Sequence, residues 1–291
     1  MSGTTDHFGA IAILNLQSRF MKRNRHAAGF SAIEMLVAVA LLAAVIGVVV
    51  KGMTDMQKRN FSETSKMDSV QDARDFIDQM VRDIHMTGYP PPRATAAGGG
   101  TPYCTDAQGT GVPNLAMRDN PAIACGIVQF SPTKVVYEGD LDGSGTVSTV
   151  VLQLVVGNGG TCPCTLQRGV VTKAQWLAGN APQYFTTVNG VLNSGNGAAP
   201  PVSTFGVNLF GPGNYLAWSR ADVFDAYVAD GTTFPAAACS LGEVSTPAIT
   251  NPDCSQIRSL QITANVAPAY ADPTTKQFSV YSITSKARIN F

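Results

Sequence analysis

An α+β fold, in which one very long N-terminal helix packs on an antiparallel β-sheet head, is what this sequence predicts. Three observations carry the expectation. Residues 30–50 form an unbroken apolar run, residues 51–87 form a proline-free amphipathic stretch, and the later chain alternates apolar and polar residues at period two.

The apolar run reads FSAIEMLVAVALLAAVIGVVV and holds one charge, Glu34. A helix of that length rises about 30 Å, enough to cross the hydrocarbon core of a bilayer. Arg19, Lys22, Arg23 and Arg25 precede it and Lys51 follows it. The positive-inside rule then keeps the N-terminus cytoplasmic and exports the remainder. A cleaved secretory signal peptide is the rival reading. The run is longer than a signal h-region of about 7–15 residues, and it has no A-x-A-like exit. A carboxylate inside a membrane helix costs about 2.5–3.5 kcal/mol at mid-bilayer and less near the surface. Glu34 therefore either sits at the interface beside a helix N-terminus or has a charged partner.

The amphipathic stretch continues the helix. Val70, Ile77, Met80, Val81 and Ile84 recur at helical spacing, and Asp72, Asp75, Asp78, Arg82 and Asp83 are placed on the other face. Asp72, Asp75 and Asp78 step by three along one face, as a solvated face does. His85 reads as an ordinary residue near a helix C-terminus, where positive charge is favoured. Gly88 followed by Pro90, Pro91 and Pro92 stops the helix. From residue 30 to 87 it would measure roughly 85 Å.

Gly29-Phe30-Ser31-Ala32-Ile33-Glu34, preceded by Lys22-Arg23-Asn24-Arg25 and followed by the apolar run, resembles the type IV prepilin processing motif. The resemblance implies that prepilin peptidase cuts after Gly29 and that the new N-terminal Phe30 is methylated. It implies that Glu34, fifth in the mature chain, meets the N-terminal amine of a neighbouring subunit. Residues 1–29 would be the leader. Twenty-nine residues is long for this family, and a start at Met21 would leave nine. Many major pilins carry a helix-kinking proline late in this segment, and none occurs between Phe30 and Tyr89. Residues 74–89 resemble the helix end of W-type minor pilins and of J-type pseudopilins of type II secretion. The final YSITSKARINF resembles the ending of W-type minor pilins. Together these segments cover about a third of the chain. They imply a type IV pilin-like fold.

Residues 89–291 would be an exported, β-rich head. Residues 94–101 read as a small-residue linker and 190–201 as a long flexible loop. Residues 147–156 carry apolar side chains at 150, 152, 154 and 156. Leu260, Ile262, Ala264 and Val266 alternate, as do Tyr281, Ile283, Ala287, Ile289 and Phe291. Residues 124–130, 135–138 and 221–229 are weaker strand candidates.

All six cysteines follow the apolar run, so this topology places them in an oxidising compartment, where an even count favours disulfides. Short loops favour Cys104–Cys125 and Cys239–Cys254, which leaves Cys162 and Cys164 to pair across one proline in a tight bond. Zinc binding would need C-x-x-C-type pairs, which are absent.

Residues 139–146 (GDLDGSGT) form at minimum a hairpin loop. Asp140, Asp142 and Ser144 also have the spacing of the first EF-hand ligands, with Gly145 at the turn and the Thr146 carbonyl next. Val151 stands where a bidentate glutamate belongs. A calcium site would therefore be incomplete unless Glu138 or another loop completes it.

The formal charge is +0, from 20 basic and 20 acidic residues. Four basic residues and one acid (Asp6) precede Phe30, which leaves 16 basic against 19 acidic, or −3, from Phe30 onward. Such a body lacks the cationic footprint of a nucleic-acid binder. Of three histidines only His85 lies beyond the first 29 residues, which leaves little room for histidine triads or multi-histidine metal sites. The chain shows no G-x-S-x-G elbow, Walker loop or H-E-x-x-H, so no enzymatic chemistry is expected.

The resemblance implies a minor pilin that helps initiate, cap or shape a type IV pilus. Its partners would be other pilins and minor pilins, prepilin peptidase, the assembly machinery and the bacterial inner membrane. It would be stored there with its head in the periplasm, then move into the filament at the cell surface. A J-type pseudopilin of type II secretion and a pilin-anchored surface adhesin are the alternatives.

Overall fold

The computed structural model describes residues 30–89, 104, 115–156, 162–193, 221–235, 238–241 and 254–289. The chain divides into two compact units at Gly52/Met53, a boundary that falls inside the first helix. Helix α1 spans Ala32–Met86. In the first unit every described residue is exposed, from Phe30 through Gly52. This helix is long and apolar enough to cross a membrane.

The second unit holds the later part of α1 and the head. Here α1 buries Ala73, Phe76, Ile77, Met80 and Ile84, and these side chains share one core with strand residues of the head. Ile77, Met80 and Ile84 match the expected apolar stripe, whereas Val70 and Val81 are only half-buried. Asp72, Asp75 and Asp78 are exposed, as a solvated face requires, and so is His85. Asp83 departs from expectation: it is buried, because the sheet supplies it with two partners described below. The stop at Gly88 follows from its φ of 81°, which glycine adopts without steric cost.

The head is a nine-stranded antiparallel sheet. Strands β1 (Ile127–Ser131), β2 (Lys134–Gly139), β3 (Ser148–Val155), β4 (Cys164–Thr172) and β5 (Gln183–Val191) follow one another as a meander. β6 (Phe224–Tyr227) and β9 (Tyr281–Arg288) pair with β8 (Ser259–Val266). β8 joins the meander through the single pair Val191↔Val266. β7 (Cys239–Ser240) pairs with β1 at the far edge. Short helices α2 (Leu115–Arg118) and α3 (Lys173–Leu177) complete the described elements, with a 3-10 turn at Cys254–Gln256. The Thr172 hydroxyl caps α3 by accepting from the Gln175 amide.

The alternation expected for β8 is present, with Leu260, Ile262, Ala264 and Val266 all buried. For β3 the expectation needs correction. Thr149, Val150, Val151 and Leu152 are all buried, because both faces of this central strand are covered. Val156 lies past the strand end and is exposed. In the last strand Ala287 and Ile289 are buried and Tyr281 is exposed, while Phe291 lies outside the described residues. The loop expected at 190–201 begins later than its composition suggests. Gly190 and Val191 close β5, and Leu192 and Asn193 are buried. Residues 194–201, the linker at 94–101 and the leader at 1–29 lie outside the described residues.

β-Sheet register explains what covers each face. Paired residues share a face, so Tyr137 lies with Val150 and Val170, and Leu152 with Val135 and Arg168. This face meets α1. Glu138, Thr149 and Val171 share the opposite face, which meets α3 and residues 123–125. The chain leaving α1 is tied to the end of β2. The Gly88 amide donates to the Glu138 carbonyl at 2.8 Å and the Asp140 amide donates to the Tyr89 carbonyl at 2.7 Å. Gly139 permits this approach, since a Cβ there would stand 2.5 Å from the Met86 carbonyl oxygen.

Candidate functional site

Four groups of residues carry chemistry beyond simple packing. The first is the start of α1. Ser31 accepts from the Ile33 amide through its hydroxyl at 3.4 Å, and its own amide donates to Glu34 Oε2 at 3.2 Å. This is a variant of the S-x-x-E capping box, with the hydroxyl on the Ile33 amide in place of the Glu34 amide, and it satisfies donors that a helix N-terminus leaves unpaired. Glu34 thus has a local role within one chain. Phe30 beside it is exposed, and Gly29, the expected cleavage residue, lies outside the described residues.

The second group lies between α1 and the sheet. Asp83 Oδ2 accepts from the Tyr137 hydroxyl at 2.9 Å and from Arg168 Nε and Nη2 at 2.9 and 2.8 Å. One carboxylate oxygen thereby ties α1 to β2 and β4. Burial pushes the Tyr137 hydroxyl well above the usual phenol range, and the Asp83 charge adds to that push while Arg168 opposes it.

The third group sits on the opposite face. Lys173 and Glu138 both have fully buried side chains, and Lys173 Nζ lies 2.7 Å from Glu138 Oε2. Lys173 also donates to the Ile123 carbonyl at 2.9 Å and lies 3.5 Å from Cys125 Sγ. Glu138 Oε2 accepts from the Cys125 amide at 2.8 Å. Cys125 is disulfide-bonded to Cys104. This ion pair therefore anchors the segment before β1 to the sheet. The remaining disulfides are Cys162–Cys164 and Cys239–Cys254, so each of the six cysteines is paired.

The fourth group is the 139–146 loop. Asp140 is buried, and its Oδ1 and Oδ2 accept from the Ser144 and Gly145 amides at 3.1 and 2.8 Å. Asp142 Oδ1 accepts from the same Ser144 amide at 3.0 Å. The Ser144 hydroxyl and amide hold the Asp142 carboxyl below the usual carboxylate range. The Thr146 amide donates to the Ser144 hydroxyl at 3.3 Å. Glu138, the group that would complete a calcium set, is committed to Lys173 on the sheet face. Among the described residues no three acidic, histidine or cysteine side chains gather as a metal site would need. Calcium takes about six to eight oxygens, so the Asp140 and Asp142 carboxylates, the Ser144 hydroxyl and the Thr146 carbonyl would need further carbonyls or water to complete a site. The loop is a turn ordered by its own amides.

Sequence reasoning missed the Asp83–Tyr137–Arg168 cluster and the Lys173–Glu138 pair. It also missed the Asn193 staple. The Asn193 side chain accepts from the Asn265 amide at 2.8 Å and donates to the Thr263 carbonyl at 3.1 Å. Glu138, a charge ending the apolar strand 135–138, was the one local signal of these arrangements. Asp222 and Asp225 have carboxyls pushed up by partial burial and flank a cavity of about 190 Å³, with no serine, cysteine, lysine or histidine among its lining residues. No protein family, curated protein or solved structure matches this chain.

Proposed function

We propose that this chain is a minor pilin, a subunit that helps initiate, cap or shape a type IV filament. The observation that carries the reading is the sequence Gly29-Phe30-Ser31-Ala32-Ile33-Glu34 placed directly before an apolar helix whose side chains are all exposed through Gly52. An apolar surface of that extent is stable in lipid or against other apolar helices, and not in water. Storage in the inner membrane and later packing among other pilin helices supplies both environments in turn. After cleavage the Phe30 amine becomes a positive charge in an apolar setting, and the Glu34 of a neighbour offsets it. The partners are then other pilins, the prepilin peptidase and the assembly machinery, with the head on the exported side.

Mass spectrometry of the membrane-associated chain from peptidase-competent cells tests this reading. The expected N-terminal peptide begins with methylated Phe30. An intact leader in those cells overturns the assignment. Deletion of the gene then separates systems, because a pilus subunit alters piliation, whereas a secretion pseudopilin alters protein export.

A further inference from the structure

Three cations line one cavity at the end of the sheet where β6, β8 and β9 run together. The cavity measures about 430 Å³ and is bounded by Arg258, Ser259, Lys286 and Arg288, and by Val228 and Gly231 of the turn after β6 among others. Register explains how they meet. Tyr227, Ser259 and Arg288 form one row across the three strands, and Asp225, Gln261 and Lys286 form the next row on the same face. The Tyr227 hydroxyl donates to Gln261 Oε1 at 3.1 Å, and the Lys286 ammonium rests 3.4 Å from the centroid of the Tyr227 ring. Lys286 therefore leans inward over β8, away from the open side of β9. Arg258 reaches the same place from the chain before β8. Its amide donates to the Tyr227 carbonyl at 2.8 Å, and its carbonyl accepts from the Ile289 amide at 2.9 Å. Its Nη1 donates to the Ser255 and Ile257 carbonyls. Backbone and guanidinium are thus both held.

The protein compensates these charges poorly. Among the described residues neither Lys286 nor Arg288 forms an ion pair, whereas Lys66, Arg118, Arg168 and Lys173 do. No acidic side chain lines the cavity. Asp225 shares the Lys286 row, but two strand spacings, roughly 10 Å, separate their backbones. Asp230 is turned to the Thr232 amide and hydroxyl, from which it accepts at 2.9 and 2.7 Å. Like charges gathered at one cavity repel one another, and an anion placed among them removes that cost. The cluster also runs against a body that carries −3 from Phe30 onward.

We propose that this cavity binds a phosphate group. A carboxylate brings one negative charge, whereas a phosphate group brings about −1.5 to −2 at pH 7 and more acceptor oxygens, a better match to three cations. Arg258 and Arg288 supply planar guanidinium donors, Lys286 a point charge and Ser259 a hydroxyl. A second cavity of about 400 Å³ shares Arg258 and is lined by Thr232, Thr233 and Gln256. Its hydroxyls and amide suit the polar body of a phosphorylated sugar or polyol. A nucleic-acid strand would need a longer cationic path than one cavity offers. This inference concerns the head and stands apart from the filament reading.

The test is isothermal titration calorimetry on the full chain in detergent micelles, with inorganic phosphate, glucose 6-phosphate, glucose and acetate as probes. Both phosphates are expected to bind at millimolar concentration or below, more weakly as salt rises, while glucose and acetate do not. Tighter binding of glucose 6-phosphate than of phosphate supports an esterified ligand, and equal binding supports the free ion. Lys286→Gln with Arg288→Gln, both exposed positions, is expected to weaken phosphate binding at least about tenfold. The melting temperature of that variant in phosphate-free buffer should be unchanged or higher, because repulsion is relieved. Arg288→Lys keeps the charge and should retain most of the affinity. The proposal is overturned if neither phosphate binds, if acetate binds equally well, or if the double variant binds like the unaltered chain. A single-stranded oligonucleotide that displaces glucose 6-phosphate at lower concentration would make the patch a nucleic-acid path and overturn it too.

Discussion

Lys173 shows how much of this head depends on single charged residues that local sequence would place at the surface. Its ammonium is fully buried against Glu138. Removing one member of such a pair strands the other without water, so Lys173→Met is expected to cost about 3–5 kcal/mol. Replacing both members recovers part of that loss, with the Cys125 amide and Ile123 carbonyl left to find new partners. Urea melts of the two variants check the difference. Tyr137 makes a complementary prediction on the other face. Its folded pKa is raised, so the folded chain holds the phenolic proton more tightly than the unfolded chain, which releases it near pH 10. The stability this contributes is complete below about pH 10 and is lost as the pH rises beyond it. Tyr137→Phe is expected to cost about 1.5–3 kcal/mol at neutral pH, because a hydrogen bond to a charged group is lost. The same variant flattens the alkaline decline, and unfolding curves between pH 8 and roughly 12 measure both effects.

At the scale of elements, two connections are fixed by specific bonds. The 139–146 turn is one case. Asp140→Ala removes acceptors for two amides and is expected to cost about 1–3 kcal/mol, by equal amounts in millimolar calcium and in chelator. A midpoint that rises with calcium and falls back in the variant would return the loop to a metal site. The Cys239–Cys254 bond is a second case. It joins β7 to the 3-10 turn that precedes β8, across a separation of 15 residues. A loop of that size is worth about 3 kcal/mol in the chain-entropy treatment. Replacing both cysteines by alanine should lower stability by that order. Non-reducing peptide mapping of the unaltered chain should find Cys239 linked to Cys254, and free thiols there would refute the pairing.

For the whole molecule, the proposed filament role turns on Glu34. In one chain it closes a capping box with Ser31. In a filament it would also meet a neighbour's amine, and leaving that amine unpaired among apolar helices costs several kcal/mol. Glu34→Ala is therefore expected to be processed and inserted normally but incorporated poorly, as immunoblots of sheared filaments against membranes would show. Normal incorporation would leave Glu34 with its capping role alone. Much of this organisation was legible in the chain itself. The apolar run, the helix stop at Gly88 and the short-loop cysteine pairs depend on neighbours within a few turns or one loop, so composition and spacing carry them. β8 was legible for the same reason, since its alternation reflects one buried face. β4 and β5 were not, because Gln167, Arg168, Thr186 and Thr187 dilute the apolar pattern and their strand character comes from pairing. Asp83 read as solvent-facing because its partner Arg168 stands 85 residues away. Lys173 and Glu138 stand 35 residues apart, so no local window pairs them. Periodicity along a chain reports which side chains need burial. Only the assembled sheet decides which charges find partners there, because a buried charge is tolerated through contacts that no local window contains.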